Sequence, residues 1–231
     1  MAKKREFGEG PLYTITNIIF WFVLCNIYFI VCILPFVFYV ILTLMTEDPL
    51  QSFKETSLIL YLLSLFIGPA LAALYSTMGK FIRENDLSVT KDYFNYYKIN
   101  FKQSFIIWGL QMTFDFLIYI NLSFYSQLAI GAYIRPVIIT IGVLFNALAI
   151  VSLPILSRFY FSIKDLLRCA FYYGVKRFYI TISVIALFII AIFALASVSQ
   201  LILCIFSIFS YLVMMLFKPI VSDIEKTIKK A

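Results

Sequence analysis

The sequence predicts an all-α protein: a polytopic transmembrane helical bundle of about six spans, with both termini cytoplasmic and short amphipathic helices in the cytoplasmic links. Three observations predict it. The chain has 231 residues, of which 63% are hydrophobic and 13% charged, with a mean hydropathy of +0.96; a soluble domain is less apolar and about twice as charged. Its apolar runs are long enough to cross a hydrocarbon core of ~30 Å. Of its nineteen Lys and Arg residues, all but Lys54 and Arg135 fall on one side of the six-segment layout, and basic residues beside spans stay cytoplasmic. The length suits a single integral membrane domain over residues 1–231.

The first span covers about Thr16 to Leu44 and contains Pro35. At ~1.5 Å per residue it exceeds a ~30 Å core, so tilt or a kink at Pro35 is expected. The basic start, MAKKREF, resembles a secretory leader. The apolar run behind it, Ile15 to Leu44, is longer than a leader's core and lacks a small-residue cleavage pattern, so a retained helix is expected. Thr46 to Thr56 reads as a short, net acidic outer loop. The second span covers about 57–79 and carries Gly68-Pro69, and the third covers about 104–125. The fourth covers about 134–160 with Pro154, the fifth about 178–196 and the sixth about 199–217. Very short links make tight hairpins of spans three and four and of spans five and six.

The cytoplasmic links carry amphipathic patterns. In the first, Lys91, Asn95, Lys98 and Lys102 recur on one helical face and Phe94, Tyr97 and Phe101 on another. This predicts a short interfacial helix with aromatics at the membrane and lysines in water. In the second, Ser162 followed by Asp165 resembles a capping box, with Lys164 and Arg168 polar and Leu167, Ala170 and Phe171 apolar. The tail repeats the signal after Pro219, with Ser222, Glu225 and an Ile220, Ile224, Ile228 stripe. Spans two and three with their link match spans four and five in layout, so a parallel internal repeat is one reading and convergence of membrane hairpins the other.

Candidate functional residues are few. Asp115 is the one acidic residue deep in a predicted span, where charge costs ~3 kcal/mol on insertion scales. Gln111 lies four residues before it and Tyr119 four after, forming a polar seam with Trp108 at its inner end. The seam reads either as a proton or substrate site or, the favoured reading, as glue to a neighbouring helix through Asn146 or Thr140. Gly68, Ala72 and Ser76 form a small-residue stripe that permits close helix approach, inside the bundle in the favoured reading or against a partner in the other. Lys91, Lys98, Lys102, Lys164 and Arg168 are candidate contacts for anionic membrane lipid, with partner docking on top.

Several function classes are disfavoured. The net charge of +7 sits beside the spans, where it serves topology and headgroup contact, so no nucleic-acid partner is expected. The chain has no histidine, the commonest metal ligand and neutral general base. Among the four cysteines, Cys25 and Cys32 are ~10 Å apart by helical rise, too far for a disulfide, and no zinc spacing is present. No phosphate loop, HExxH or nucleophile elbow occurs, and Asp115 lacks the second carboxylate of an aspartyl dyad. No enzyme activity, cofactor or metal is therefore expected.

The motifs FGEGPLY (Phe7 to Tyr13), Asn26 and Pro35, GPALAALY (Gly68 to Tyr75) and YYKINFKQS (Tyr96 to Ser104) resemble the YesL family of bacterial multi-span membrane proteins of unknown function. The resemblance implies a Gram-positive cell membrane and a setting beside carbohydrate ABC importers. The expected function is an accessory subunit contacting the permease subunits of an oligosaccharide importer. The alternative is an autonomous small-solute transporter or channel using the Asp115 seam; a membrane sensor is a third reading.

Overall fold

Proline-linked breaks shape the first half of the chain. The computed structural model describes residues 11–125, 130–197 and 204–228. Helix α1 (Pro11–Cys32) and helix α2 (Leu34–Leu44) meet at Ile33. Pro35 sits in the first turn of α2, where its missing N–H is harmless, but it cannot donate to Val31 and so cannot prolong α1. The expected single span over 16–44 is therefore two helices. The stretch read as an outer loop contains α3 (Pro49–Glu55), started by Pro49 and by the Asp48 carboxylate accepting from Gln51 N–H at 3.2 Å.

The second predicted span is also divided, into α4 (Ser57–Ser64) and α5 (Ile67–Glu84). Pro69 has no N–H for the Leu65 carbonyl, and the ladder breaks one turn earlier. Bare carbonyls are costly in hydrocarbon. The indole N–H of Trp108 covers one of them, donating to the Ser64 carbonyl at 2.8 Å. At its other end α5 runs past Gly79 and stops at Asn85, whose φ of 54° is left-handed and whose N–H closes on the Phe81 carbonyl at 2.9 Å.

Helix α6 (Val89–Tyr125) is one uninterrupted helix of 37 residues, about 55 Å long by helical rise. The short interfacial helix expected over Lys91 to Lys102 is its first third rather than a separate element, because no proline or capping group divides it from the span. Helix α7 (Gly131–Leu156) precedes α8 (Ile163–Lys176) and α9 (Phe178–Ser197). The Ser162 hydroxyl accepts from Asp165 N–H at 3.2 Å and donates to the Asp165 carboxylate. That caps α8 without a full reciprocal box. The two halves of the anticipated repeat thus differ: α8 stands apart, while residues 89–103 are continuous with α6.

Helix α10 (Ile205–Ile228) continues through Pro219, so the separate tail helix does not form. The Ser222 hydroxyl donates to the Pro219 carbonyl at 3.0 Å, and Glu225 turns to Arg158. Ile220 and Ile224 are buried and Ile228 is exposed. Residues 199–203 of the sixth predicted span, and Phe7 to Gly10 of the first motif, lie outside the described residues.

Six stretches are long and apolar enough to cross a membrane: Tyr13–Cys32, Ser57–Glu84, Val89–Tyr125, Gly131–Leu156, Phe178–Ser197 and Ile205–Ile228. Among the described residues there is no strand. Helix α5 is the hub. One of its faces packs with α1 and the start of α6 around Cys25, Phe29, Leu74, Met78 and Tyr93. The other joins α7, α8, α9 and α10 around Ala72, Tyr75, Val151, Leu166 and Phe217. Three ion pairs gather at one end of the bundle: Lys80–Asp92 at 2.8 Å, Arg158–Glu225 at 2.9 Å and Arg177–Asp223. We refer to this as the basic end.

Candidate functional site

The Asp115 seam lies between α6 and α7, toward the end opposite the ion pairs. The Gln111 amide donates to one Asp115 carboxylate oxygen at 3.0 Å, and the Asn146 amide donates to the other at 2.8 Å. Asn146 also donates to the Gly142 carbonyl at 3.0 Å, which anchors it to α7. One turn from the seam, Phe114 and Phe145 stack with ring centroids 4.0 Å apart. Gly142 lets Ile118 approach to where a Cβ would stand 2.8 Å from its methyl. The seam therefore ties α6 to α7 through the Asn146–Asp115 bond and a stacked ring pair, while Gln111 holds the carboxylate from within α6. Thr140 takes no part, since its hydroxyl donates to the Pro136 carbonyl within α7. Trp108 serves the α4–α5 break instead.

Tyr119 lies outside the hydrogen-bonded set. Its ring stacks on Phe116 and, among the described residues, its hydroxyl bonds neither Gln111 nor Asp115. It shares with Asp115 a cavity of about 470 Å³ against α2, α3 and α4. Phe36, Phe53, Tyr61 and Phe116 give that cavity aromatic walls, and Lys54 stands at its rim. The cavity is apolar apart from Asp115, Lys54 and the hydroxyls of Tyr61, Tyr119, Ser57 and Ser64. The sequence could not place α2 to α4 here, because it read them as parts of straight spans and a loop.

These contacts make a specific prediction. Asp115→Leu removes the acceptor of two amides and strands the buried Gln111, at a cost of about 1–3 kcal/mol. Asp115→Asn keeps one acceptor oxygen and should cost less. Thermal unfolding of the two variants in one detergent checks the order, and equal melting temperatures for wild type and Asp115→Leu would remove the seam from the packing.

Gly68, Ala72 and Ser76 are all buried inside the bundle. A Cβ at Gly68 would lie 2.3 Å from the Trp108 Cβ and 3.0 Å from the Ser104 carbonyl oxygen. Ser76 donates to the carbonyls of Ala72 and Ser157, both at 2.9 Å, and accepts from the Asn100 amide at 2.9 Å. The stripe thus joins α5 to α6 and to the end of α7. Asn100 is not singled out by the sequence as a bonding residue; its place between Ile99 and Phe101 is the available signal.

At the basic end, Lys91, Lys98, Lys102, Lys164 and Arg168 are exposed. Arg168 reaches Asp165 at 3.8 Å on the open face of α8. Between α8 and the last turns of α10 lies a cleft of about 610 Å³. Phe161, Tyr172 and Tyr173 line it, with Lys176, Asp223 and Lys226 at its margin. The Lys176 ammonium stands 5.1 Å from the Tyr172 ring centre, and hydrogen bonding to the Tyr172 hydroxyl pushes its pKa up. No local pattern announces this cleft, which depends on Arg177–Asp223 drawing α10 beside α8.

Residues 13–122 match the profile of a family described as "Protein of unknown function, DUF624". The matched part runs from α1 nearly to the end of α6 and includes Asp115, Gln111 and the small-residue stripe. No curated protein and no solved structure matches the chain.

Proposed function

We propose that this protein is a non-enzymatic accessory membrane subunit of a bacterial carbohydrate ABC import system, contacting the permease subunits of an oligosaccharide importer and supporting their assembly or transport. The observation that carries the reading is the basic end, where an aromatic cleft between α8 and α10 has Lys176 and Lys226 at its margin and α8 exposes Lys164 and Arg168 on its open face. Under the positive-inside orientation this end is cytoplasmic, the side on which permeases meet their ATPases. The DUF624 match adds support, since YesL-like proteins fall in that family. The bilayer is the Gram-positive cell membrane, and anionic lipid provides the background attraction for the basic stripe of α6.

Import measurements test the proposal. Deleting the gene should abolish or strongly reduce uptake of one oligosaccharide class, and Lys164→Glu with Arg168→Glu should fail to restore it despite normal membrane levels. Undiminished uptake of every oligosaccharide tested in the deletion strain would defeat the reading.

A second reading rests on the cavity beside Asp115. A carboxyl group lining an open groove of about 470 Å³ beside apolar helices suits an autonomous small-solute transporter or channel. It predicts flux into liposomes containing this protein alone, lost in Asp115→Asn. Flux that persists in the variant would take Asp115 out of the mechanism.

A further inference from the structure

A second basic feature lies apart from the α8 cleft and from the lysine stripe. Arg83 near the end of α5, Arg158 just beyond α7 and Lys218 on α10 converge on one small cleft of about 40 Å³. Gly79, Ile82, Met214 and Val221 complete its lining. The cleft is built by packing. The Gly79 position leaves room for Arg83 to fold back, since a Cβ there would meet Arg83 Nη1 at 3.3 Å and the Met214 methyl at 2.9 Å.

The charge balance of the cleft is uneven. Arg158 donates to the Glu225 carboxylate through Nη2 at 2.9 Å and Nε at 3.3 Å. Glu84, next to Arg83 in sequence, is 3.8 Å from Lys80. Among the described residues, neither Arg83 nor Lys218 has a carboxylate within ion-pair distance. Three exposed cations, from α5, the chain just beyond α7 and α10, therefore share one carboxylate at ion-pair distance. Water and salt screen part of their mutual repulsion, and a bridging anion would relieve the rest. Two guanidinium forks and an ammonium suit a phosphate group, whose several acceptor oxygens bridge donors from different helices. A cleft of this size admits an oxygen-sized group and leaves the rest of the ligand outside.

We propose that Arg83, Arg158 and Lys218 form a phosphate-binding site at the basic end of the bundle, taking either the headgroup phosphate of an anionic phospholipid or a free phosphate. The site sits where α5 and α7 end against the middle of α10. Occupation there locks the hub helix to α7 and α10. This inference does not depend on the importer reading.

The test uses the full-length protein in a mild detergent, with two probes. Native mass spectrometry measures retention of phosphatidylglycerol against phosphatidylcholine. Thermal unfolding measures the effect of inorganic phosphate against chloride at matched ionic strength. The variant is Arg83→Gln with Lys218→Gln, which leaves the Arg158–Glu225 pair in place. The control, Lys54→Gln with Arg135→Gln, removes the same charge from the opposite end of the bundle. Selective phosphatidylglycerol retention, weakened about fivefold per charge removed in the Arg83/Lys218 variant and little in the control, supports the site and assigns the lipid source. Stabilisation by inorganic phosphate, lost in the same variant without any lipid preference, supports the site and assigns the free anion. Neither effect in the wild type, or equal losses in variant and control, overturns it. Lys218→Gln alone gives the same reading, at about fivefold, if the double variant does not fold.

Discussion

Gly68→Ala is expected to cost about 3 kcal/mol or more, a large share of a typical fold's stability. The added methyl would stand 2.3 Å from the Trp108 Cβ, 2.6 Å from its Cγ and 3.0 Å from a backbone oxygen of α6. None of these atoms is the far end of a flexible side chain, so relief requires α5 and α6 to move apart. That movement would also pull Trp108 from the Ser64 carbonyl and Asn100 from Ser76. Trp108→Ala should not rescue the variant, because alanine retains the clashing Cβ. Size-exclusion profiles and thermal unfolding of Gly68→Ala, with Gly109→Ala as the control, check the claim. At Gly109 the nearest atom is a Leu65 methyl at 3.8 Å, an ordinary contact. Equal behaviour of the two variants would contradict the packing described.

Asn26→Leu is expected to destabilise the fold by about 2–3 kcal/mol, although leucine is more apolar and similar in size. Asn26 is fully buried, and its side-chain oxygen accepts from the Phe206 N–H at 3.1 Å in the first turn of α10. The first N–H groups of a helix have no partner within it. Asn26 lies buried where α1 meets α10, so a neighbouring helix supplies the acceptor. Nearby, the Ser207 hydroxyl donates to the Phe22 carbonyl at 2.8 Å. Together these bonds tie α1 to α10, nearly the two ends of the chain. Asn26→Asp retains an acceptor and should retain more stability than leucine does. A melting temperature for Asn26→Leu equal to that of wild type would show that the bond contributes nothing.

The sequence made the class of fold legible because hydrocarbon imposes a crude rule, that spans are long and apolar, and the six stretches obey it. It did not make the interruptions legible. Pro35 and Pro69 mark places where a helix can bend, but sequence cannot tell whether a neighbour will cover the carbonyls that a break exposes. Trp108 covers one at Ser64. In the opposite case, Lys91 to Lys102 looked like a separate surface helix because its charge differs from the span that follows. Helix continuity depends on the absence of a breaker, not on constancy of the environment.

The Asp115 seam was half legible. The spacing of Gln111 and Asp115 by four residues put both on one face, and Asn146 was one of the two partners anticipated. Tyr119 satisfied the same spacing, yet its ring is held by Phe116 and faces the cavity. The motifs that suggested a family turned out to carry interior bonds: Asn26 caps α10, Gly68 admits Trp108, and Asn100 joins Ser76. Such residues report how the bundle is built rather than what it handles. The ion pairs of the basic end, Arg158–Glu225 and Arg177–Asp223, span 67 and 46 residues and have no local signature at all.

The importer role is tested most directly by affinity purification of the tagged protein from its native membrane in mild detergent, followed by mass spectrometry. The account predicts ABC-permease subunits in stoichiometric amounts, reduced when Lys164 and Arg168 are both changed to glutamate. A clean, folded preparation that contains no permease subunit would contradict it.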